Sequence, residues 1–236
     1  AERVPVPYEK ESFSFEYHVE DEDAPYEEEK STQEFPEKAS TPRIKKMFPV
    51  GLVHGTYIVA ENEDGMYVID QHAANERINY EKFLVELGSH ERHQMDLLFP
   101  ITIELPANEF VLLKQHFSIL DSLGFGFEEF GLNTLIIRCV PAWLPQTSLE
   151  DSIRKIIDII VVTEDFDSYK FSEKIAITLA CKKSIKANDH IEFKDMEVLL
   201  ERLRNCENPF TCPHGRPTII TYSNYELEKL FKRAAD

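Results

Sequence analysis

The chain has 236 residues, 42% of them hydrophobic, and no apolar run approaches the roughly 20 residues that a membrane helix needs. Its formal charge of −17 argues against a generally basic nucleic-acid binder, so action on nucleic acid would need a local basic patch, a partner or another domain. Four cysteines do not make a disulfide scaffold at this length, and the acidic start lacks a signal-peptide pattern. We therefore expect reduced thiols in a cytoplasmic protein.

Residues 1–42 are predicted to be a disordered acidic linker. Residues 1–40 carry 13 acidic and 4 basic side chains, with scattered prolines and no sustained hydrophobic periodicity. This composition is typical of an interdomain linker, so we expect the chain to be a C-terminal fragment of a longer protein.

Order is predicted from about Phe48 onward. Hydrophobic periodicity and turn residues predict the first elements as strands at 50–60, 66–70 and 97–105 and helices at 71–87 and 106–123. The second half is predicted as strands at 125–130, 134–140 and 218–222 and helices at 149–161, 172–187, 193–206 and 223–233. This order of elements predicts an α/β (α+β) fold with mixed sheets.

Three ionisable side chains, Asp70, His72 and Glu76, lie where a predicted strand passes into a predicted helix. At 100° per residue, His72 and Glu76 share the helix side of Tyr80 and Phe83, which is expected to face inward. Burying them unpaired would be costly, so they need a partner, and a metal ion is one candidate. Alone, a strand-ending Asp is more often a helix N-cap.

Two further places offer metal-type ligands. Cys181 lies on a predicted helix, and Cys212-Pro213-His214-Gly215-Arg216-Pro217 is a loop in which proline and glycine restrict the backbone. Cysteine and histidine with carboxylates suit Zn²⁺, whereas carboxylate-rich positions also accept Mn²⁺. A cysteine on a helix is commonly a core residue, and the loop is equally compatible with a plain turn, so spacing alone leaves convergence open.

The pattern Asp70-Gln71-His72-Ala73-x-x-Glu76-x-x-x-x-Glu81 resembles the signature of the C-terminal endonuclease domain of the MutL family of DNA mismatch-repair proteins. Three further segments are similar to the other motifs of that family, in the same order: Ala180-Cys181-Lys182, Cys212 to Pro217, and Phe231-Lys232-Arg233. The resemblance covers roughly residues 45–236. The ATPase domain of the family is outside it, so ATP is not expected to bind this domain.

The resemblance implies roles for individual residues. Asp70 would be the catalytic carboxylate and Glu76 a metal ligand at the catalytic centre. Four further ligands would join Asp70 and Glu76, namely His72, Cys181, Cys212 and His214. This set would hold one or two ions of Zn²⁺ or Mn²⁺ per subunit. Arg216 and Arg233 would contact phosphate or order the site. Glu81 would have a supporting role without contacting the metal, or would only form an i,i+4 ion pair with Arg77.

The resemblance also implies an activity and partners. The domain would homodimerise and hold a latent, metal-dependent endonuclease that nicks duplex DNA and is stimulated by the replicative sliding clamp. It would meet MutS through the full-length protein, in the nucleoid-associated cytoplasm and without a membrane. The alternatives are a non-catalytic dimerisation module with a structural or regulatory zinc site and, as a weaker rival, an unrelated zinc hydrolase.

A short segment is similar to the clamp-binding motif of the family, which begins with glutamine and ends with proline. Its residues here are Gln94, Leu97, Leu98, Phe99 and Pro100, and the glutamine is displaced by one position from the family spacing. A strand that contributes core leucines is an equally good interpretation.

The family architecture implies two lobes. Residues 43–94 and 181–236 would form the dimerisation and endonuclease subdomain, and 95–180 an inserted regulatory subdomain. A second apolar stripe on the signature helix, Ala74, Ile78 and Val85, would meet either packing helices or a partner subunit.

Overall fold

Two antiparallel sheets organise the part of the chain that this computed structural model describes, residues 42–89, 93–163, 166, 168–183 and 191–233. The first sheet has the strand order β1-β2-β3-β7 and the second the order β4-β6-β5. The strands are β1 Phe48–Val53, β2 Tyr57–Asn62, β3 Gly65–Asp70, β4 Gln94–Glu104, β5 Gly126–Phe130, β6 Thr134–Pro141 and β7 Ile219–Ser223. The predicted linker lies outside the described residues, apart from Pro42.

Seven α-helices occur within the described ranges, and none is long and apolar enough to span a membrane. They are α1 Gln71–Gly88, α2 Ala107–Lys114, α3 Phe117–Leu123, α4 Leu149–Val162, α5 Ser168–Lys183, α6 Phe193–Arg204 and α7 Asn224–Leu230. The predicted α+β class is confirmed. Every strand pairing in this part of the chain is antiparallel, so its sheets are not mixed in strand direction.

The single strand predicted over 50–60 is wrong, because a tight turn divides it into β1 and β2. His54 and Gly55 both have positive φ, 52° and 62°, and the Thr56 amide donates to the Val53 carbonyl at 3.1 Å. Positive φ at both central residues is the geometry of a type I′ turn, which here spans Val53 to Thr56. Glycine favours that turn, but histidine at its first position hides the signal.

The single helix predicted over 106–123 is also wrong, since the chain breaks after Lys114 into α2 and α3. The Gln115 and His116 amides bond to carbonyls three residues back, at 3.1 and 2.9 Å, which tightens and ends the first helix. The break lets Phe117 pack edge-on against Phe110, with ring centroids 6.1 Å apart.

Most other predicted elements lie within a few residues of the observed ones. The helix predicted from 172 begins at Ser168, and the part predicted beyond 183 lies outside the described residues. The last helix has the predicted capping box between Ser223 and Glu226 but ends at Leu230 rather than at 233.

Helix α1 lies between two hydrophobic cores. Tyr80 and Phe83 pack into a core with the second sheet and α2 to α5, while Ala74 and Ile78 pack into a core with the first sheet and α6. Ala74 and Ile78 of the second apolar stripe therefore meet the protein's own core, whereas Val85 is exposed. A helix fixed on two sides is a rigid platform for the charged residues at its start.

Replacing Gly65 by alanine should destabilise the domain. Gly65 has φ +153°, and an added Cβ would lie 2.1 Å from the Tyr222 carbonyl oxygen on β7. We expect a loss of about 1–3 kcal/mol from the backbone conformation alone, with the clash adding to it. Urea unfolding measures the loss. Gly51→Ala is the matched control, because a Cβ there meets nothing within 4 Å; equal losses in the two variants would contradict this prediction.

Candidate metal centre

The side chain of Asp70 caps α1. Its Oδ1 accepts hydrogen bonds from the backbone amides of His72 and Ala73, at 2.9 and 3.0 Å. The Asp70 amide donates to the Thr218 carbonyl at 3.0 Å, which joins the end of β3 to the approach of β7. The N-cap interpretation is therefore confirmed, and the carboxylate stands at the positive end of the helix dipole.

Glu76 is a buried carboxylate with four side-chain partners, namely Arg216, His72, His214 and Cys212. Its side chain is only 3% exposed, and Arg216 Nη2 donates to Oε2 at 2.7 Å. His72 Nε2 lies 3.0 Å from Oε1, and His214 Nδ1 lies 3.3 Å from Oε2. Burial raises the pKa of Glu76, but the Arg216 guanidinium and hydrogen bonds from His214 and Cys212 outweigh it, so the net shift of the pKa is downward. The group is therefore an ionised carboxylate held inside the protein.

Cys181 approaches the same cluster from α5. Its Sγ lies 3.3 Å from His214 Nε2, and the thiol also donates to the Ile177 carbonyl at 3.2 Å. Burial raises the pKa of Cys181, and the nearby charge of Glu76 raises it further. A thiol in these surroundings is a weak nucleophile alone, and a bound cation would stabilise its thiolate form.

The loop between α6 and β7 presents Cys212 and His214 to α1. It is closed by the Cys212 amide donating to the Arg216 carbonyl at 2.8 Å and the Gly215 amide donating to the Cys212 carbonyl at 2.9 Å. Gly215 adopts φ +80°, which allows this tight turn. Cys212 is buried, with its Sγ 4.0 Å from His214 Nδ1. The loop is thus a formed structure that aims an imidazole and a thiol toward Glu76.

Glu76, Cys181 and His214 form a group that could hold a metal ion. One ligand atom from each lies within 4.8 Å of the other two. An oxygen, a sulfur and a nitrogen donor suit Zn²⁺ and related divalent ions, which these ligands bind at about 2.0–2.3 Å. The residues present therefore fit a divalent metal ion.

Some of the other predicted site residues contact this group of three ligands, and others do not. His72 contacts the group through Glu76, and Cys212 contacts both Glu76 and His214. Among the contacts of the described residues, none joins the Asp70 carboxylate or the Arg233 guanidinium to the three ligands. Arg233 is exposed beyond α7, where its amide donates to the Glu228 carbonyl at 2.7 Å.

The segment similar to a clamp-binding motif leaves the sheet. The pairing of β4 with β6 is interrupted between Asp96 and Ile101, and Leu98 and Phe99 are 88% and 80% exposed. Leu97 packs against the core, and Gln94 Nε2 donates to the Gly124 carbonyl at 3.1 Å. The interpretation as core leucines therefore holds for Leu97 but not for Leu98.

Two contacts that the sequence did not predict hold the loop against α1. Arg77 Nε donates to the Thr211 carbonyl, and the Glu81 carboxylate accepts from the amides of Glu207 and Asn208 at 2.7 and 3.0 Å. Arg77 Nη1 lies 3.7 Å from Glu81 Oε1, so the expected i,i+4 pair is present as well. Backbone partners more than a hundred residues away leave no trace in local sequence patterns.

The chain is similar to DNA mismatch-repair proteins. The sequence model of a family described as MutL C terminal dimerisation domain matches residues 50–191. The DNA mismatch repair protein MutL of Listeria monocytogenes serovar 1/2a is 45% identical, in an alignment that covers 99% of this chain and 40% of that protein. The protein of the same name from Listeria welshimeri serovar 6b is 49% identical, over 84% of this chain and 33% of that protein. That of Halalkalibacterium halodurans is 44% identical over 81% and 30%. The chain thus spans at most two fifths of these relatives.

Substitutions at the ligand positions should reduce metal binding without unfolding the domain. We expect Cys181→Ser and His214→Asn each to lower Zn²⁺ affinity by about tenfold or more, because each removes one donor of the group. Equilibrium dialysis with metal analysis measures the affinity. Cys139→Ser is the control: Cys139 lies on β6, hydrogen-bonded to Asp96. Unchanged zinc affinity in both ligand variants would contradict the assignment.

Proposed function

The chain belongs to the MutL C-terminal dimerisation family, and we propose that it is the latent, metal-dependent endonuclease domain of a DNA mismatch-repair protein. The observation that carries the proposal is the convergence of Glu76, Cys181 and His214 from two helices and a loop. Dimerisation alone does not require a buried carboxylate, a thiol and an imidazole at one point. Converging ionisable groups, among which the pKa values of Glu76 and Cys181 are shifted, are typical of functional sites.

The proposed reaction is nicking of duplex DNA. A divalent cation, Zn²⁺ or Mn²⁺, held by Glu76, Cys181 and His214 would supply Lewis-acid stabilisation of charge on a phosphate oxygen. The half-exposed Arg216 offers a planar guanidinium that suits phosphate oxygens. Asp70, at the adjoining helix start, is the proposed proton acceptor for the attacking water. Its position on a cap fixes that carboxylate relative to Glu76.

Asp70→Asn should abolish nicking while leaving the fold intact. Asparagine caps helices about as well as aspartate, so the substitution removes the charge but keeps the cap. We expect nicking of supercoiled plasmid with Mn²⁺ and the sliding clamp to fall by about 100-fold or more. Asp158→Asn, at an exposed position on α4, is the matched control and should cut like the wild type. Equal cutting by Asp70→Asn and wild type, or no cutting by wild type even with clamp, would refute the catalytic assignment.

The main rival is a dimerisation module whose zinc site is structural or regulatory. It shares the metal-binding prediction but not the loss of nicking in Asp70→Asn, so the two assays together separate the alternatives. An unrelated zinc hydrolase acting on a small substrate is disfavoured because the chain belongs to a mismatch-repair family.

The wider partners follow from the same proposal. Leu98 and Phe99 are exposed on an unpaired stretch of β4, and we assign them to sliding-clamp binding together with Gln94, Leu97 and Pro100. The other proposed partners are DNA, in the nucleoid, and MutS, which would be contacted by the full-length protein. The two hydrophobic cores support a dimerisation and endonuclease subdomain at 43–94 and 181–236 and an inserted regulatory subdomain at 95–180.

The open face of the first sheet is the proposed contact with a second copy of the chain. Val59 of β2 pairs with Val68 of β3, which pairs with Ile220 of β7, so the three form an apolar row. Tyr57 and Val53, paired with each other on the same face, are 43% and 44% exposed. An exposed apolar sheet face in a family described by dimerisation indicates where the subunits meet.

Ile220→Glu should therefore weaken the dimer. Ile220 is 52% exposed in the isolated chain, and a charge buried in an apolar interface is costly. We expect the dimer dissociation constant to rise by about 100-fold or more, measured by sedimentation equilibrium. Val162→Glu places the same charge at a 67% exposed apolar position on α4 and should leave the dimer unchanged. If Ile220→Glu has the same dimer dissociation constant as the wild type, the interface lies elsewhere.

A further inference from the structure

Arg77 follows Glu76 on α1, yet its side chain contacts the chain that leads into the loop of Cys212 and His214. The Arg77 side chain is 10% exposed, and its Nε donates to the Thr211 carbonyl, one residue before Cys212. Its guanidinium carbon lies 5.1 Å from the centre of the Tyr80 ring. A buried guanidinium on a backbone carbonyl fixes the position of that carbonyl closely, because its donors form a rigid planar fork.

Glu81 holds the other end of the same segment. Its two oxygens accept from the backbone amides of Glu207 and Asn208, and Arg77 lies beside it at 3.7 Å. The chain from 207 to 211 is thus attached to α1 at both ends. Residues 207–211 belong to no helix or strand, apart from an isolated bridge between Thr211 and Pro217. Thr218 also donates to the carbonyls of Pro209 and Phe210, so the attachments to α1 and these two hydrogen bonds together position the start of the loop.

The third element of the metal centre is joined to α1 close by. The Tyr80 hydroxyl lies 3.2 Å from Glu173 Oε1 on α5, the helix that carries Cys181. Arg77 stacks on the ring of the same tyrosine. The contacts of Arg77, Tyr80 and Glu81 therefore connect all three elements that supply ligands, and Arg77 touches both of the other two residues.

We propose that Arg77 is a positioning residue that holds the loop of Cys212 and His214 at coordination distance from Glu76. The proposal rests on the proposed metal-binding function and assigns Arg77 no contact with metal or DNA. Donors on three separate elements bind one ion tightly only if their separation is fixed before the ion arrives. Residues that orient ligands in this way typically contribute about 10–100-fold to metal affinity.

Titration with Co²⁺ tests the proposal, because its visible absorption reports ligand number and geometry. Lysine keeps the charge of Arg77 but cannot reproduce the fork to Thr211 and Glu81. We expect Arg77→Lys to weaken Co²⁺ binding by about tenfold or more and to change the visible spectrum. Arg154→Lys is the matched control, since Arg154 donates to the Glu104 carbonyl on another part of the fold at 3.4 Å. It should leave affinity and spectrum unchanged.

A second variant and a second measurement keep the test decisive if Arg77→Lys folds poorly. Glu81→Gln should weaken Co²⁺ binding in the same direction, because it removes the charge that holds the Glu207 and Asn208 amides. In metal-free protein, amide exchange at Cys212 and Gly215 should accelerate in both variants, while exchange in α1 stays at the wild-type rate. Wild-type affinity, spectrum and exchange in both variants would overturn the proposal. If wild-type protein binds no Co²⁺, the proposed metal function fails. The positioning role is overturned separately if amide exchange at Cys212 and Gly215 is no faster in these variants than in the wild type.

Discussion

The buried carboxylate of Glu76 is the constraint on which the rest of the centre depends. A charge that is 3% exposed on a helix between two cores is tolerated only when cations and hydrogen-bond donors surround it. Arg216, His214 and Cys212 meet that requirement, and because their combined effect exceeds the desolvation penalty, the pKa of Glu76 is lowered. The loop that brings Arg216 and His214 is therefore bound to α1 by the charge it neutralises.

Hydrophobic packing of α1 determines the position of the Glu76 carboxylate. Ala74 and Ile78 pack α1 against one core, and Tyr80 and Phe83 pack it against the other, so both the rotation and the position of the helix are set by close packing. Glu76 and Arg77 are neighbours in sequence, and a helix turns by 100° between them. One therefore meets the ligand cluster, while the other meets the segment that leads into it.

Local patterns in the sequence predicted what local forces determine. The cap at Asp70, the inward side of α1 and the capping box at Ser223 each depend on residues within one or two helical turns, and each is observed. The turn at His54 and Gly55 was missed because the strong sequence signals for such a turn are Asn-Gly and Asp-Gly, and His-Gly is not one of them. The break after Lys114 has no proline or glycine to mark it.

The convergence of the site lies beyond such patterns for a different reason. Glu76 and Arg216 are 140 residues apart, and Arg77 and Thr211 are 134 apart, so their contacts are formed by the tertiary fold and not by local sequence. Family resemblance supplied the candidate ligands because ordered motifs can be matched where local periodicity carries no signal, but it named neither the Thr211 carbonyl nor the amides of Glu207 and Asn208. Those partners are backbone groups, which any residue type can offer. A site supported through backbone groups is therefore visible in a structure and hidden in a sequence, even when every residue that supports it is printed there.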